Sequence, residues 1–321
     1  MKIGLQVYYF GWPGAPGNIG DKLMEIGKTA ESAGFSSLWA MDHLFQLEGG
    51  FGPPEVTHIE APMLEGYCTI SYLAAVTQRI KIGLMVTNNL FRYPGILIKT
   101  ITTLDVLSGG RAYFGIGSGG GMQREAKGLG LPLPQTRGEI VERLEETLQI
   151  ARKMWKGDHS PYEGKYCRLA EPMNFPSPLS QPHPPILIGM WSGGKKMLRL
   201  VATYADACNF QIGTSMKEFP PYIRERNRNY RKYLACKLRI LRDICEEVGR
   251  SYDEIERTAL ATIKLAPDAM STTEIVDLCR DLARLGINQV IFNMPNVHEI
   301  KTLEIMGNEV MPMVTEFEEG D

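Results

Sequence analysis

Eight times along the chain, a short β-prone apolar run is followed by a stretch whose apolar residues recur at helical spacing, and no such pair is long enough to fold alone. The first four pairs are 2–7 with 19–33, 37–41 with 67–78, 80–86 with 95–107, and 112–116 with 137–155. The last four are 186–189 with 195–204, 207–211 with 221–248, 258–265 with 273–285, and 289–293 with 300–317. Strands separated by helices pair in parallel, because the crossover returns the chain to the same end of the sheet. Eight units fit a closed barrel better than a doubly wound sheet, which usually needs fewer strands. The chain therefore reads as α/β, a single (β/α)8 TIM barrel spanning residues 1–321. One irregularity precedes strand five: residues 157–185 hold seven prolines and the fragment YEGKYCRL. This predicts an inserted loop carrying a small hairpin.

With 35 basic and 37 acidic residues the formal net charge is −2, which leaves no electrostatic footprint for nucleic acid or an anionic membrane. The expected partner is a small-molecule substrate. Six cysteines without C-x-x-C spacing, and an N-terminus without a signal-peptide pattern, point to a reduced cytoplasmic protein. No apolar run approaches the roughly 18 residues of a membrane span. His58, His159, His183 and His298 form neither H-x-H nor H-E-x-x-H, so no metal is expected.

In such barrels the active site lies at the C-terminal ends of the strands. Strand four ends in RAYFGIGSGGG, where Gly115, Gly117 and Gly120 satisfy the G-x-G-x-x-G dinucleotide spacing. The region about twenty residues further on is an amphipathic helix instead of an acidic strand end, so the match is read as incidental. A second glycine loop, GMWSGG at 189–194, follows strand five. Bare N–H groups at a helix start suit a phosphate, although glycines also simply permit tight turns. Asp42 and His43 end strand two, where they could exchange a proton with a ligand or form a buried pair that caps the loop. Lys264, late in strand seven, could form a Schiff base or extend outward.

The ordered motifs resemble the luciferase-like flavin and deazaflavin oxidoreductases. The matching stretches are LWAMDHLF (38–45), KIGLMVTNNLFRYPGILIKTITTLDVLSGGRAYFGIGSGGG (81–121), RGEIVERLEETLQIARKMW (137–155), YEGKY (162–166) and PPILIGMWSGGKKMLRLVATYADACN (184–209). The resemblance is closer to the branch using coenzyme F420, a 5-deazaflavin that exchanges a hydride at C5. It implies hydride transfer to or from a small organic substrate. The alternative it implies is a two-component monooxygenase using reduced FMN, for which a separate reductase supplies reduced cofactor. An alternative of another class is a non-catalytic flavin- or deazaflavin-binding barrel. Family members are commonly homodimers, and a homodimer is implied here.

The resemblance also assigns residues. His43 becomes the proton donor or hydrogen-bonding partner at the ring, with Asp42 beside it at the ribityl or ring polar edge. Met85, Val86 and Thr87 form a bulge behind the ring, which in many relatives contains a non-prolyl cis peptide. Ser118 and Gly119 run along the cofactor, and the amides of Gly189, Gly193 and Gly194 meet its phosphate. Gly120 stands where F420-dependent sugar-phosphate dehydrogenases carry an acidic residue, which argues against that activity.

Overall fold

The computed structural model describes residues 1–46, 58, 60–119, 123–190, 194–213 and 221–317. In chain order the elements are β1 (Lys2–Val7), α1 (Ile19–Ser32), β2 (Ser37–Ala40), α2 (Gly66–Val76), β3 (Lys81–Leu84), β4 (Thr87–Asn88), α3 (Pro94–Leu107), β5 (Phe114–Gly117), α4 (Gln123–Gly128) and α5 (Arg137–Trp155). There follow β6 (Tyr162–Glu163), β7 (Arg168–Leu169), β8 (Ile186–Met190), α6 (Lys195–Tyr204), β9 (Ala207–Gly213), α7 (Pro221–Arg228) and α8 (Tyr230–Val248). The chain continues with β10 (Glu256–Thr262), α9 (Thr272–Arg284), β11 (Gln289–Asn293), α10 (Ile300–Ile305) and α11 (Met311–Val314).

The main sheet has nine parallel strands in the order β3-β2-β1-β11-β10-β9-β8-β5-β4. It is a nearly closed barrel. Closure comes from one parallel bridge, Ile82 to Ala112, where the Ile82 N–H reaches the Arg111 carbonyl at 3.0 Å and the Tyr113 N–H reaches the Ile82 carbonyl at 2.7 Å. The ninth strand arises because the expected third strand, 80–86, is broken: β3 pairs with β2, the chain bulges at Met85 and Val86, and β4 pairs with β5. The other strands and the helices 137–155 and 195–204 fall where the periodicity placed them or within a few residues of it.

Local signals explain the boundaries. The turn after α1 uses Gly34 at φ +91°, and α8 ends at Gly249 in the left-handed region. α9 starts with a capping box between Ser271 and Glu274. The helical stretch expected over 221–248 is divided at Asn229, and that expected over 300–317 contains a π-helical turn, Met306–Val310. Pro312 cannot donate to the carbonyl of Asn308, which removes one α-helical bond just after this turn. The segment before β8 carries an antiparallel hairpin, β6 with β7. Buried Glu146 accepts the N–H groups of Lys165, Tyr166 and Cys167, and buried Asp105 accepts those of Leu179 and Ser180.

Two apolar clusters result. The larger lies between the strands and the surrounding helices. The smaller fills the ring with Trp39, Met85, Leu187, Ala207, Leu260 and Ile291, joined by Val86 and Tyr113. Trp39 fits because Gly83 and Gly115 have no side chain: a Cβ on Gly83 would lie 2.8 Å from its Cζ3. At Gly115 a Cβ would lie 1.9 Å from the Leu84 carbonyl oxygen, a backbone atom held in the ring. Gly115→Ala is therefore expected to lose at least about 3 kcal/mol in chemical denaturation, at or above the usual cost of overpacking. Gly138→Ala, inside α5 with only the Thr136 hydroxyl oxygen nearby, is expected to gain about 0.5–1 kcal/mol in the same measurement.

Candidate active site

The bulge between β3 and β4 organises the C-terminal mouth of the barrel. The Met85–Val86 peptide is cis, and the Gln6 side-chain amide donates to the Met85 carbonyl at 2.7 Å. The Val86 side chain occupies the space left by two glycines on neighbouring strands. A Cβ would lie 2.6 Å from Val86 Cγ2 at Gly117 and 2.9 Å from Val86 Cγ1 at Gly189. Gly119 has φ +81°, and a Cβ there would lie 2.1 Å from Asn88 Oδ1. The glycine spacing at 115–119 is thus accounted for by the close approach of β3, β4 and the bulge.

Asp42 follows β2 and is buried. Its Oδ2 accepts from the Asn88 N–H at 2.8 Å and Arg92 Nη1 at 2.7 Å, while Oδ1 accepts from Arg92 Nη2 at 2.9 Å. Arg92 also donates to Glu65 and stacks over the Tyr67 ring at 4.6 Å. The Tyr67 hydroxyl pairs with Thr87 Oγ1 at 2.7 Å. Burial alone would lower the Arg92 pKa, but the hydrogen bonds and charge of Asp42 push it up. Burial opposes ionisation of Glu65, yet the Cys68 N–H that it caps and the Arg92 charge hold its carboxyl below the usual range. Burial, then the Asp42 charge, pushes the Tyr67 phenol up, so it stays protonated. Asp42 thus ties the bulge to Arg92 through both of its oxygens.

His43 is 7% exposed, and its Nδ1 lies 3.2 Å from Oε2 of Glu125 on α4. Glu125 Oε1 accepts the N–H groups of Leu44 at 2.5 Å and Phe45 at 3.3 Å. Sequence reasoning missed both Glu125 and Arg92. QREAKG shows too few residues for a helical period, and nothing in the spacing links either residue to strand two.

Buried polar atoms with no hydrogen-bond partner among the described residues include the Tyr8 hydroxyl after β1, Asn89 Oδ1 after β4 and Asn293 Oδ1 closing β11. Burial, then the neighbouring Tyr9, pushes the Tyr8 phenol up, so it remains a hydrogen-bond donor. Orphaned buried polar groups are costly unless a ligand or water satisfies them. A flat heterocycle carrying both donors and acceptors, laid against the Met85–Val86 bulge, suits this set of one hydroxyl donor and two amide acceptors.

The structure brings Asp42, His43, Met85, Val86, Thr87, Ser118, Gly119 and Gly189 to one end of the barrel. Thr87 is wholly buried beneath Tyr67, and Gly189 lies within β8, five residues before Gly194, which caps the start of α6. Gly193 and Gly120 lie outside the described residues. Three of the other histidines pack on rings: His183 stacks on Trp155, His298 on Trp12, and His159 meets Phe175 edge-on, while His58 is exposed. Lys264 follows β10 and is half-buried.

Comparison with known proteins finds relatives of the same fold. The chain is 26% identical over 305 residues to the F420-dependent glucose-6-phosphate dehydrogenase of Microbacterium testaceum (strain StLB037), covering 94% of this chain and 80% of that protein. An F420-dependent secondary alcohol dehydrogenase in complex with an F420-acetone adduct superposes with a TM-score of 0.77 at 18% identity, over 98% of both chains. The oxygenating constituent of 3,6-diketocamphane monooxygenase from Pseudomonas putida, in complex with FMN, superposes with a TM-score of 0.71 at 17% identity, over 97% of this chain and 98% of that one. The model of the luciferase-like monooxygenase family matches residues 1–289, and the chain belongs to that family.

Proposed function

We propose that this protein is an oxidoreductase that binds coenzyme F420 at the barrel mouth and moves a hydride to or from a small organic substrate. The observation that carries this reading is the conjunction of a buried imidazole, His43, with the apolar Met85–Val86 bulge and the orphaned polar atoms of Tyr8, Asn89 and Asn293 at the same strand ends. When bound, the deazaflavin supplies a hydride donor or acceptor at C5. The chain's own residues do the rest: Met85 and Val86 back the ring, Arg92 and Asp42 hold that bulge, and Tyr8, Asn89 and Asn293 offer hydrogen bonds. His43 moves the accompanying proton. Ser118, Gly119, Gly189, Gly193 and Gly194 are assigned to the remainder of the cofactor by resemblance. By the resemblance, Gly120 stands where sugar-phosphate dehydrogenases carry an acidic residue, so a sugar phosphate is not the proposed substrate.

Similarity to an FMN-bound monooxygenase supports a second reading, with reduced FMN delivered by a separate reductase. Titration of the purified protein with oxidised and reduced F420 and with FMN separates the two. F420 is expected to bind more tightly and to support oxygen-independent turnover. Tighter FMN binding with oxygen consumption overturns that assignment, and binding without turnover across a broad substrate panel favours a binding module.

The six cysteines are unpaired, which favours a reducing compartment such as the cytoplasm, and no helix among the described residues is long and apolar enough to cross a membrane. A homodimer is proposed through α2 and α3. α2 carries no charged residue, and the outer face of α3 exposes Tyr93 at 81%, Ile96 at 66% and Leu107 at 79%. Exposed apolar side chains of this size suit a contact with a second copy of the chain. Ile96→Glu is expected to shift the protein from dimer to monomer in size-exclusion chromatography with light scattering.

The Asp42–Arg92 pair generates a stability prediction. Arg92→Met strands a buried carboxylate and is expected to cost about 3–5 kcal/mol in denaturant unfolding, with weakened cofactor binding. Combining it with Asp42→Asn should recover part of that loss.

A further inference from the structure

We propose that Glu125 is a positioning residue that fixes the tautomer and plane of His43, a role that rests on the proposed function for its catalytic consequence but not for its structural one. Glu125 is 1% exposed, and a buried carboxylate is tolerated only when its oxygens are hydrogen-bonded. Oε1 takes the N–H groups of Leu44 and Phe45, the two residues after His43. Two backbone donors on that oxygen would be enough to pin the loop. The other oxygen is instead aimed at the imidazole, 3.2 Å from Nδ1.

An ionised carboxylate can only accept, so this geometry puts the ring proton of neutral His43 on Nδ1 and its lone pair on Nε2. The arrangement opposes the intrinsic preference of a free imidazole, which carries its proton on Nε2. The same carboxylate holds the backbone beyond the ring, so the imidazole and the loop that bears it are oriented together. Whichever way the hydride moves, one proton enters or leaves His43 at Nε2, and Glu125 faces the positive charge gained when the ring takes it. The logic is that of a base oriented by a third group.

The test is nitrogen-detected NMR of histidine-labelled protein without cofactor, at mildly alkaline pH, with His43→Gln used to assign the His43 signals. The wild type should show a protonated Nδ1 and a bare Nε2. Glu125→Gln, which keeps the shape but leaves one acceptor oxygen for three donors, should shift His43 towards protonated Nε2. With circular dichroism unchanged, that variant should lose about 10–100-fold in kcat, with KM and cofactor affinity within about threefold. A wild-type His43 protonated on Nε2, or a variant with unchanged tautomer and unchanged kcat, overturns the proposal. If Glu125→Gln fails to fold, the wild-type spectrum decides alone. If the wild type turns over with neither F420 nor FMN, the functional reading falls while the tautomer measurement still decides the role of Glu125.

Discussion

The bidentate pair between Arg92 and Asp42 is the interaction on which the barrel mouth depends. It joins the loop after β2 to the segment after β4, and through the Asn88 N–H on Asp42 it fixes the strand that resumes after the bulge. Taking two charges out of water costs several kcal/mol per ion, so geometry has to recover it. Here the guanidinium has two bonds to Asp42, a third to Glu65 and a tyrosine face beneath it. With the bulge held, Val86 is driven between Gly117 and Gly189, and the polar atoms above it are left for a ligand.

Carboxylates that accept backbone N–H groups recur as the means of holding loops against the barrel. Glu31 takes those of Gln78, Arg79 and Ile80 at the entry to β3, Asp105 and Glu146 pin the excursion before β8, and Glu125 pins the loop after β2. Arg111 does the converse, donating to the carbonyls of Ala74, Thr77 and Ile80 where α2 ends. These bonds are charge-assisted, stronger than neutral ones, and they satisfy backbone groups that irregular segments would otherwise leave unpaired.

Much of this fold was legible because its elements obey local rules. The segments 137–155, 195–204 and 289–293 follow from periodicity and breakers alone. The glycine cluster was harder to read. Its position at a strand end marks the mouth of the barrel, while its dinucleotide-like spacing is incidental: Gly115 and Gly117 make room for Leu84 and Val86. A glycine required by a neighbouring strand and one required by a ligand look identical in a sequence.

By itself the sequence determined the order of strands and helices, the closed α/β architecture that this order implies, and Asp42 and His43 as polar residues at a strand end. Those features follow from short-range periodicity and capping, which each segment carries within itself. Only the tertiary structure decided that the chain beyond the bulge pairs with β5, that Asp42 belongs to Arg92, 50 residues away, and that His43 belongs to Glu125, 82 residues away. Such pairings depend on the register and closure of the whole ring, a property of no single segment.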